Sequence, residues 1–244
     1  MVSPLSRRRF LLILAGIGAS VVGTVMGFFG IREPAGSRIG ESMSGELIGL
    51  PEPKRGGGLS VEEAIARRRS RRMYADEPVL LTEISQLCWA AQGVTEGTAG
   101  FRAAPSAGGI YPIELFVVVG RSDLESGVYH YSPKEHSLGR IKTGDYRKEL
   151  REASLGQEWV GNGAVDFVIT AVPDRTAEKY GERGRGRYVP MEAGHVAQNI
   201  YLQAQSLGLG TVSIGAFHDD QVREVISAPS KSLPLYVMPV GRPL

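Results

Sequence analysis

Helices and strands follow one another irregularly along this chain. The sequence therefore predicts a mixed α and β fold outside the doubly wound class, whose strand–helix alternation is regular. Three observations carry this. Ile113-Glu114-Leu115-Phe116-Val117-Val118-Val119 and the stretch from Ala164 to Val172 are rich in β-branched and aromatic residues, the pattern of buried strands. Glu192 to Leu207 sets Val196, Ile200, Ala204 and Leu207 on one helical stripe, with Gly208 following as a C-terminal stop. No segment repeats at a fixed period, which sets aside solenoids and propellers.

Taken in order, Ser6-Arg7-Arg8-Arg9-Phe10-Leu11 reads as a twin-arginine export signal, a basic group followed by an apolar opening. From Phe10 to Ile31 no residue is charged, and a run of about 22 residues is long enough to span a bilayer as a helix. A plain membrane anchor oriented by its basic flank is the other reading, and both put the rest of the chain outside the cytoplasm. Ala35-Gly36-Ser37 is a poor small-residue cleavage site, which leaves residues 1–31 as a candidate anchor. Residues 32–58, with Pro51, Pro53 and Gly56-Gly57-Gly58, read as a linker, and the folded domain is expected over residues 59–244.

Ser60-Val61-Glu62-Glu63 has capping-box spacing, so a helix is expected from Val61 into the arginines. A second helix after Thr82 would carry Ile84, Leu87, Cys88 and Ala91 on its apolar face, and Gly93 to Gly100 reads as a loop. Val128–Tyr131 and Ser137–Ile141 suggest a hairpin around Ser132-Pro133, and Tyr146 to Leu155 an amphipathic helix. Arg175 to Arg187 is polar and interrupted by glycine, and is expected to be a loop or lid. Thr211–Ile214 and Pro234–Val240 read as the last strands.

Charge is nearly balanced, 28 basic against 26 acidic residues, which argues against a general nucleic-acid binder. The basic residues are instead local, in Arg7-Arg8-Arg9 and Arg67-Arg68-Arg69 with Arg71-Arg72. A lone cysteine, Cys88, excludes an intramolecular disulfide and a cysteine metal cage, and beside Trp89 it reads as a buried thiol. His130, His136, His195 and His218 share no metal-ligand spacing, so no metal is expected.

Two stretches point to chemistry. Ala103-Ala104-Pro105-Ser106-Ala107-Gly108-Gly109-Ile110-Tyr111-Pro112 is almost free of side-chain bulk, so its backbone can lie close to something flat or highly charged. An ordinary Pro/Gly turn before a strand is the plainer reading. Arg68-Arg69-Ser70-Arg71-Arg72 offers guanidinium forks and a hydroxyl suited to a phosphate monoester, against the alternative of a solvated helix face. Gly208-Leu209-Gly210-Thr211-Val212-Ser213-Ile214-Gly215-Ala216 follows a helix and precedes a strand, the reverse of a dinucleotide fingerprint. Thr211 also stands where a serine-hydrolase elbow needs glycine.

In this order and spacing, several motifs together resemble the nitroreductase family, closest to its azoline-dehydrogenase-like branch (the SagB/ThcOx type). They are Arg68-Arg69-Ser70-x-Arg72, the Pro105–Pro112 loop, Lys179-Tyr180-Gly181-Glu182-Arg183-Gly184, Glu192-Ala193-Gly194-His195-Val196-Ala197-Gln198-Asn199 and Val240-Gly241-Arg242-Pro243. The resemblance covers Pro51 to the end. It implies an α+β fold with a mostly antiparallel sheet flanked by helices, in a homodimer with flavin mononucleotide (FMN) at each subunit interface. It implies that Arg68, Arg69, Ser70 and Arg72 hold the phosphate and ring edge. Pro105, Ser106, Ala107, Gly108 and Gly109 would lie against the partner subunit's flavin, and Ser213, Gly215 and Ala216 would turn backbone amides to its redox nitrogen. Lys179 and Tyr180 would be the catalytic pair, moving a proton as a hydride is removed. Many relatives complete the phosphate site with a basic pair beyond the last strand; here either Arg242 takes that part or the upstream arginines suffice.

The implied activity is a two-electron oxidoreductase acting on a small-molecule substrate. A non-catalytic extracytoplasmic flavin carrier or sensor is the alternative, and a tethered domain without cofactor is a third. Export adds a constraint on the electron partner. Outside the cytoplasm there is little NAD(P)H, so a partner other than nicotinamide is expected: a membrane quinone or neighbouring redox protein if the anchor persists, or a diffusible donor or oxygen if the signal is cleaved.

Overall fold

The computed structural model describes residues 46–244, so the expected signal or anchor at residues 1–31 lies outside the described part. The fold begins earlier than the sequence suggests. Strand β1 (Leu47–Gly49) pairs antiparallel with a later strand, Leu47 opposite Gly139, and Lys54 and Gln86 exchange two hydrogen bonds. Residues 46–58 are therefore not a free linker. Backbone groups of Glu46, Leu50, Pro51 and Lys54 bond to the domain, which a run containing Pro51, Pro53 and three glycines does not advertise.

Helix α1 (Val61–Arg67) opens with the expected box: the Ser60 hydroxyl accepts the Glu63 amide and the Glu63 carboxylate accepts the Ser60 amide. Helix α2 (Leu81–Gln92) buries Ile84, Leu87, Cys88 and Ala91, the face that the spacing predicts. The segment expected to be a loop after it instead forms a small hairpin, β2 (Val94–Glu96) with β3 (Phe101–Arg102). Strand β4 (Ile113–Val119) follows the glycine loop, then the hairpin β5 (Gly127–Ser132) and β6 (Ser137–Thr143). Helices α3 (Arg147–Ala153) and α4 (Glu158–Asn162) lead to β7 (Val165–Ala171).

Arg175–Arg187 is not a loop. Helix α5 (Pro173–Arg183) passes into a π-type turn over Gly184–Tyr188 and then into the long helix α6 (Val189–Ser206). The glycines that suggested a loop are absorbed as a break at Gly181, with φ 59°. Strand β8 (Gly210–Thr211), helix α7 (Asp219–Val225) and strand β9 (Leu233–Gly241) complete the chain. Helices α4 and α7 are short, and no stripe in the sequence marks them.

All pairings in the seven-stranded sheet are antiparallel, in the order β1-β6-β5-β4-β7-β9-β8. This is an α+β architecture with apolar residues on both sheet faces. Leu115, Val117 and Val119 pack with α2 and α6, and Phe116 and Val118 pack towards α3, α4 and α7. The period of two explains the continuous apolar run in β4: both faces are covered by helices. Among the described residues no helix is long and apolar enough to cross a membrane.

One buried group works against this core. Asp166 in β7 is fully buried and neither carboxylate oxygen has a hydrogen-bond partner among the described residues. Burial holds its carboxyl well above the ordinary carboxylate range, with Arg147 only partly offsetting it. The folded chain thus holds this proton more tightly than the unfolded chain. The stability it contributes is full at acid pH and is lost as pH rises towards the raised value. Asp166→Asn removes that loss. The melting temperature of the variant should rise relative to the parent as pH increases above the ordinary carboxylate range, a trend that a pH-independent difference in thermal scans would contradict.

Candidate functional site

The residues singled out in the sequence fall into two clusters joined by α6. Beyond α1 the chain runs extended beside β8: Ser70 bridges Thr211, and the Arg71 amide donates to the Thr211 carbonyl at 2.9 Å. This lays Ser70 under Tyr201 of α6, hydroxyl to hydroxyl at 3.0 Å. The same Tyr201 hydroxyl accepts the Ser213 amide at 2.8 Å, and the Arg68 guanidinium lies over the ring at 5.1 Å. Arg72 reaches a different aromatic, Trp159 of α4, at 5.5 Å, beside a cavity of about 350 Å³ that Tyr74 also lines. Neither Arg68 nor Arg72 has a carboxylate partner among the described residues.

Gly215 and Ala216 are exposed, and their amides have no acceptor among the described residues. A Cβ on Gly215 would meet nothing nearer than Tyr236 at 3.9 Å, so space stands open over this backbone. Free cations, a hydroxyl and free amides on one edge form a donor set suited to an anionic, flat cofactor.

Two assigned residues lie elsewhere. Arg242 is engaged within the chain: its Nη2 bonds both carboxylate oxygens of Glu83, at 2.9 and 3.0 Å, in the first turn of α2. One nitrogen of the guanidinium thus spans the carboxylate, and Nη1 reaches the Leu207 carbonyl at 3.5 Å. Arg69 turns back to the carbonyls of Ala66 and Arg68, at 3.0 and 2.7 Å, and so closes the end of α1 rather than joining Arg68 and Ser70.

The second cluster is the Pro105–Gly109 loop with α5 above it. Gly108 and Gly109 have φ of 66° and 65°, and Tyr111 has φ 54°, a conformation that only surrounding contacts hold in a tyrosine. The Ser106 hydroxyl supplies one, accepting the Tyr111 amide at 2.9 Å while donating to Glu192 Oε2 at 2.6 Å. Ser106 therefore turns its side chain inward, and the outer surface of the loop is Pro105 and Gly108, with Ala107 and Gly109 half-buried. A Cβ on Gly108 would sit 2.7 Å from the Tyr180 hydroxyl and 3.0 Å from Lys179 Nζ. The expected pair thus covers the glycine of the expected loop. Lys179 is exposed and lies 5.3 Å over the Tyr180 ring, which meets Tyr188 edge-on.

Glu192 opens one of the motifs that carry the resemblance, but no site role is expected of it from the sequence. It is 2% exposed, burial pushes its carboxyl up to about 7 against the Ser106 bond and Arg102, and Oε1 has no partner. Its signal in the sequence is a carboxylate in the first turn of a helix that is otherwise apolar on that face. Tyr201 is less legible, because it sits beside Ile200 on the apolar stripe and reads as core. The four histidines ligate nothing together, and the described residues hold no group of metal-ligating side chains.

Within one chain the clusters stay apart. Glu192 and Tyr201 are nine residues apart on α6, roughly 13 Å along the axis.

Comparison with known proteins agrees with this architecture. The family profile described as "Nitroreductase family" matches residues 65–242. MJ1384 of Methanocaldococcus jannaschii, provisionally named a nitroreductase, is 44% identical over 208 residues, covering 84% of this chain and 98% of that protein. The microcin B17-processing protein McbC of Escherichia coli is 29% identical over 147 residues, 57% of this chain and 54% of McbC. A crystal structure of a Ralstonia eutropha JMP134 protein, also provisionally a nitroreductase, superposes with a TM-score of 0.72 at 32% identity, over 81% of this chain and 90% of that one. With this sheet order and these motifs in place over most of its length, the chain belongs to the nitroreductase family.

Proposed function

We propose that this protein is an FMN-dependent oxidoreductase of the azoline-dehydrogenase-like branch, a homodimer acting outside the cytoplasm on a small-molecule substrate. One observation carries the reading. The donor set for an anionic cofactor and the covered glycine loop lie apart along α6, and a second copy in a homodimer would bring one against the other. Arg68, Ser70 and Arg72 are the partners for a phosphate. The Gly215 and Ala216 amides would donate where negative charge develops on the ring. The bulk-free loop at Pro105, Ala107 and Gly108 suits a flat ring from the partner copy.

FMN, when bound, supplies two-electron chemistry. The chain supplies the proton transfer: Lys179 Nζ or Tyr180 Oη accepts the proton that the substrate releases as it is oxidised. The substrate's electrons leave to an extracytoplasmic acceptor. The basic pair at Arg7-Arg8 and the uncharged run after it favour a membrane quinone or a nearby redox protein over nicotinamide.

Three outcomes test this. Arg68→Ala and Arg72→Ala should each weaken FMN binding about tenfold or more, the loss of a charge-assisted contact of about 1.5–3 kcal/mol. Fluorescence titration with FMN reads this, and parent-like affinity in both variants refutes the phosphate assignment. Lys179→Ala should keep its flavin, seen in the visible spectrum, and lose most turnover; undiminished turnover removes the catalytic role. In stopped-flow mixing, quinol analogues should exchange electrons with the holoenzyme and NADH should reduce it poorly. Rapid reduction by NADH with no quinol exchange overturns the proposed partner.

A further inference from the structure

Glu114 is out of place on composition grounds. It sits in the apolar run of β4, 4% exposed, where an isolated carboxylate is costly unless it is paired. Oε2 lies 2.7 Å from His130 Nε2, and Oε1 lies 2.5 Å from Arg175 Nη1, an ion pair not aligned as a hydrogen bond. Burial pushes this carboxyl up, but the His130 bond and charge and the Arg175 guanidinium outweigh it and hold it below the ordinary range.

Arg175 belongs to the first turn of α5, and its Nη1 also reaches the Tyr111 carbonyl at 3.4 Å. One guanidinium therefore ties α5 to β4 and to the end of the glycine loop. The backbone fixes only the root of the helix, where the Val172 amide donates to the Pro112 carbonyl at 2.8 Å and Ala171 pairs with Ile113; beyond it little else does so. Of the eleven residues of α5 only Pro173 and Thr176 are buried, so apolar packing gives the helix a weak grip. The pairs of Arg185 with Asp174 and Glu182 are exposed and screened. Lys179 lies four residues beyond Arg175, one turn further along the same face, and it is there that Lys179 and Tyr180 cover Gly108.

We propose that Glu114 is a positioning residue: through Arg175 it anchors α5, and so sets Lys179 and Tyr180 over the Pro105–Gly109 loop. His130 holds the second oxygen of Glu114 and thereby its orientation. The importance of the arrangement rests on the proposed catalytic role of Lys179, but the anchoring itself can be tested without turnover.

The experiment uses the full chain and its Glu114→Gln, Arg175→Gln, Arg175→Lys and double Gln variants. Lysine acylation by an amine-reactive ester is followed by mass spectrometry, with exposed Lys148 on α3 as the internal reference, and backbone hydrogen exchange is measured in parallel. In Glu114→Gln and in Arg175→Gln, the Lys179 to Lys148 reactivity ratio should change at least about threefold and α5 amides should exchange at least about tenfold faster, as a local opening. The double variant should add nothing to either single change, because both break one connection. Arg175→Lys, which keeps the charge, should return both readouts towards the parent.

A carboxylate that only stabilises the core would lower the melting temperature and leave the ratio and α5 exchange unchanged well below melting. That result overturns the proposal, as does a fully additive double variant. Where Glu114→Gln does not fold, Arg175→Gln, whose side chain is 19% exposed and can reach water, decides the same question. Turnover enters neither readout. An active Lys179→Ala enzyme would end the catalytic assignment and leave the anchor standing.

Discussion

Everything in the candidate site hangs on the burial of α6 against the sheet. Val196, Ile200 and Ala204 are almost fully buried and belong to the same core as Leu115, Phe167, Ile169 and Met238. A helix held on this apolar seam cannot slide or rotate without exposing several large side chains, each worth about 1.5–3 kcal/mol. Its two ends are therefore fixed points. Tyr201 near one end gathers Ser70 and Ser213, and Glu192 at the other holds Ser106. Two loops with almost no apolar content of their own take their shape from a single packed helix.

What is legible in the sequence follows the same division. Elements whose reason is apolar periodicity, such as β4, β7, β9, α2 and α6, are readable to within a few residues, because pattern and burial are one fact seen twice. The capping box at Ser60 is readable because it is local. For the candidate site, the sequence marks Arg68, Ser70, Ser213, Gly108, Lys179 and Tyr180 through their joint order along the chain rather than through any motif alone, and the fold gathers the first three around Tyr201 and the last three at the glycine loop.

The misses share a different cause. Arg242 and Arg69 look like Arg68 in the sequence, and contacts that no motif displays separate them: Arg242 pairs with Glu83, 159 residues away, and Arg69 bonds back to the carbonyls of Ala66 and Arg68. Residues 46–58 read as a linker because their prolines and glycines are local features, whereas the edge of β6 that receives them is distant in the chain. Helix α5 reads as a loop because it lacks an apolar stripe. A helix held by one buried ion pair and its own backbone carries no periodic signal to find.

Three buried carboxyls show how environment alone divides one chemistry into different roles. Asp166 has no hydrogen-bond partner among the described residues, and burial keeps its proton on. Glu114 has two cationic or hydrogen-bonding partners, and they hold it ionised as an anchor. Glu192 lies between them: one oxygen is bonded to Ser106, the other is bare, and its carboxyl is poised at about 7. The first sits in the core behind β7, the second under the start of α5, and the third directly behind the glycine loop. A poised carboxyl serves neither stability nor anchoring well. Its position, one hydrogen bond from the loop that Lys179 and Tyr180 cover, is where a site that moves protons would need one.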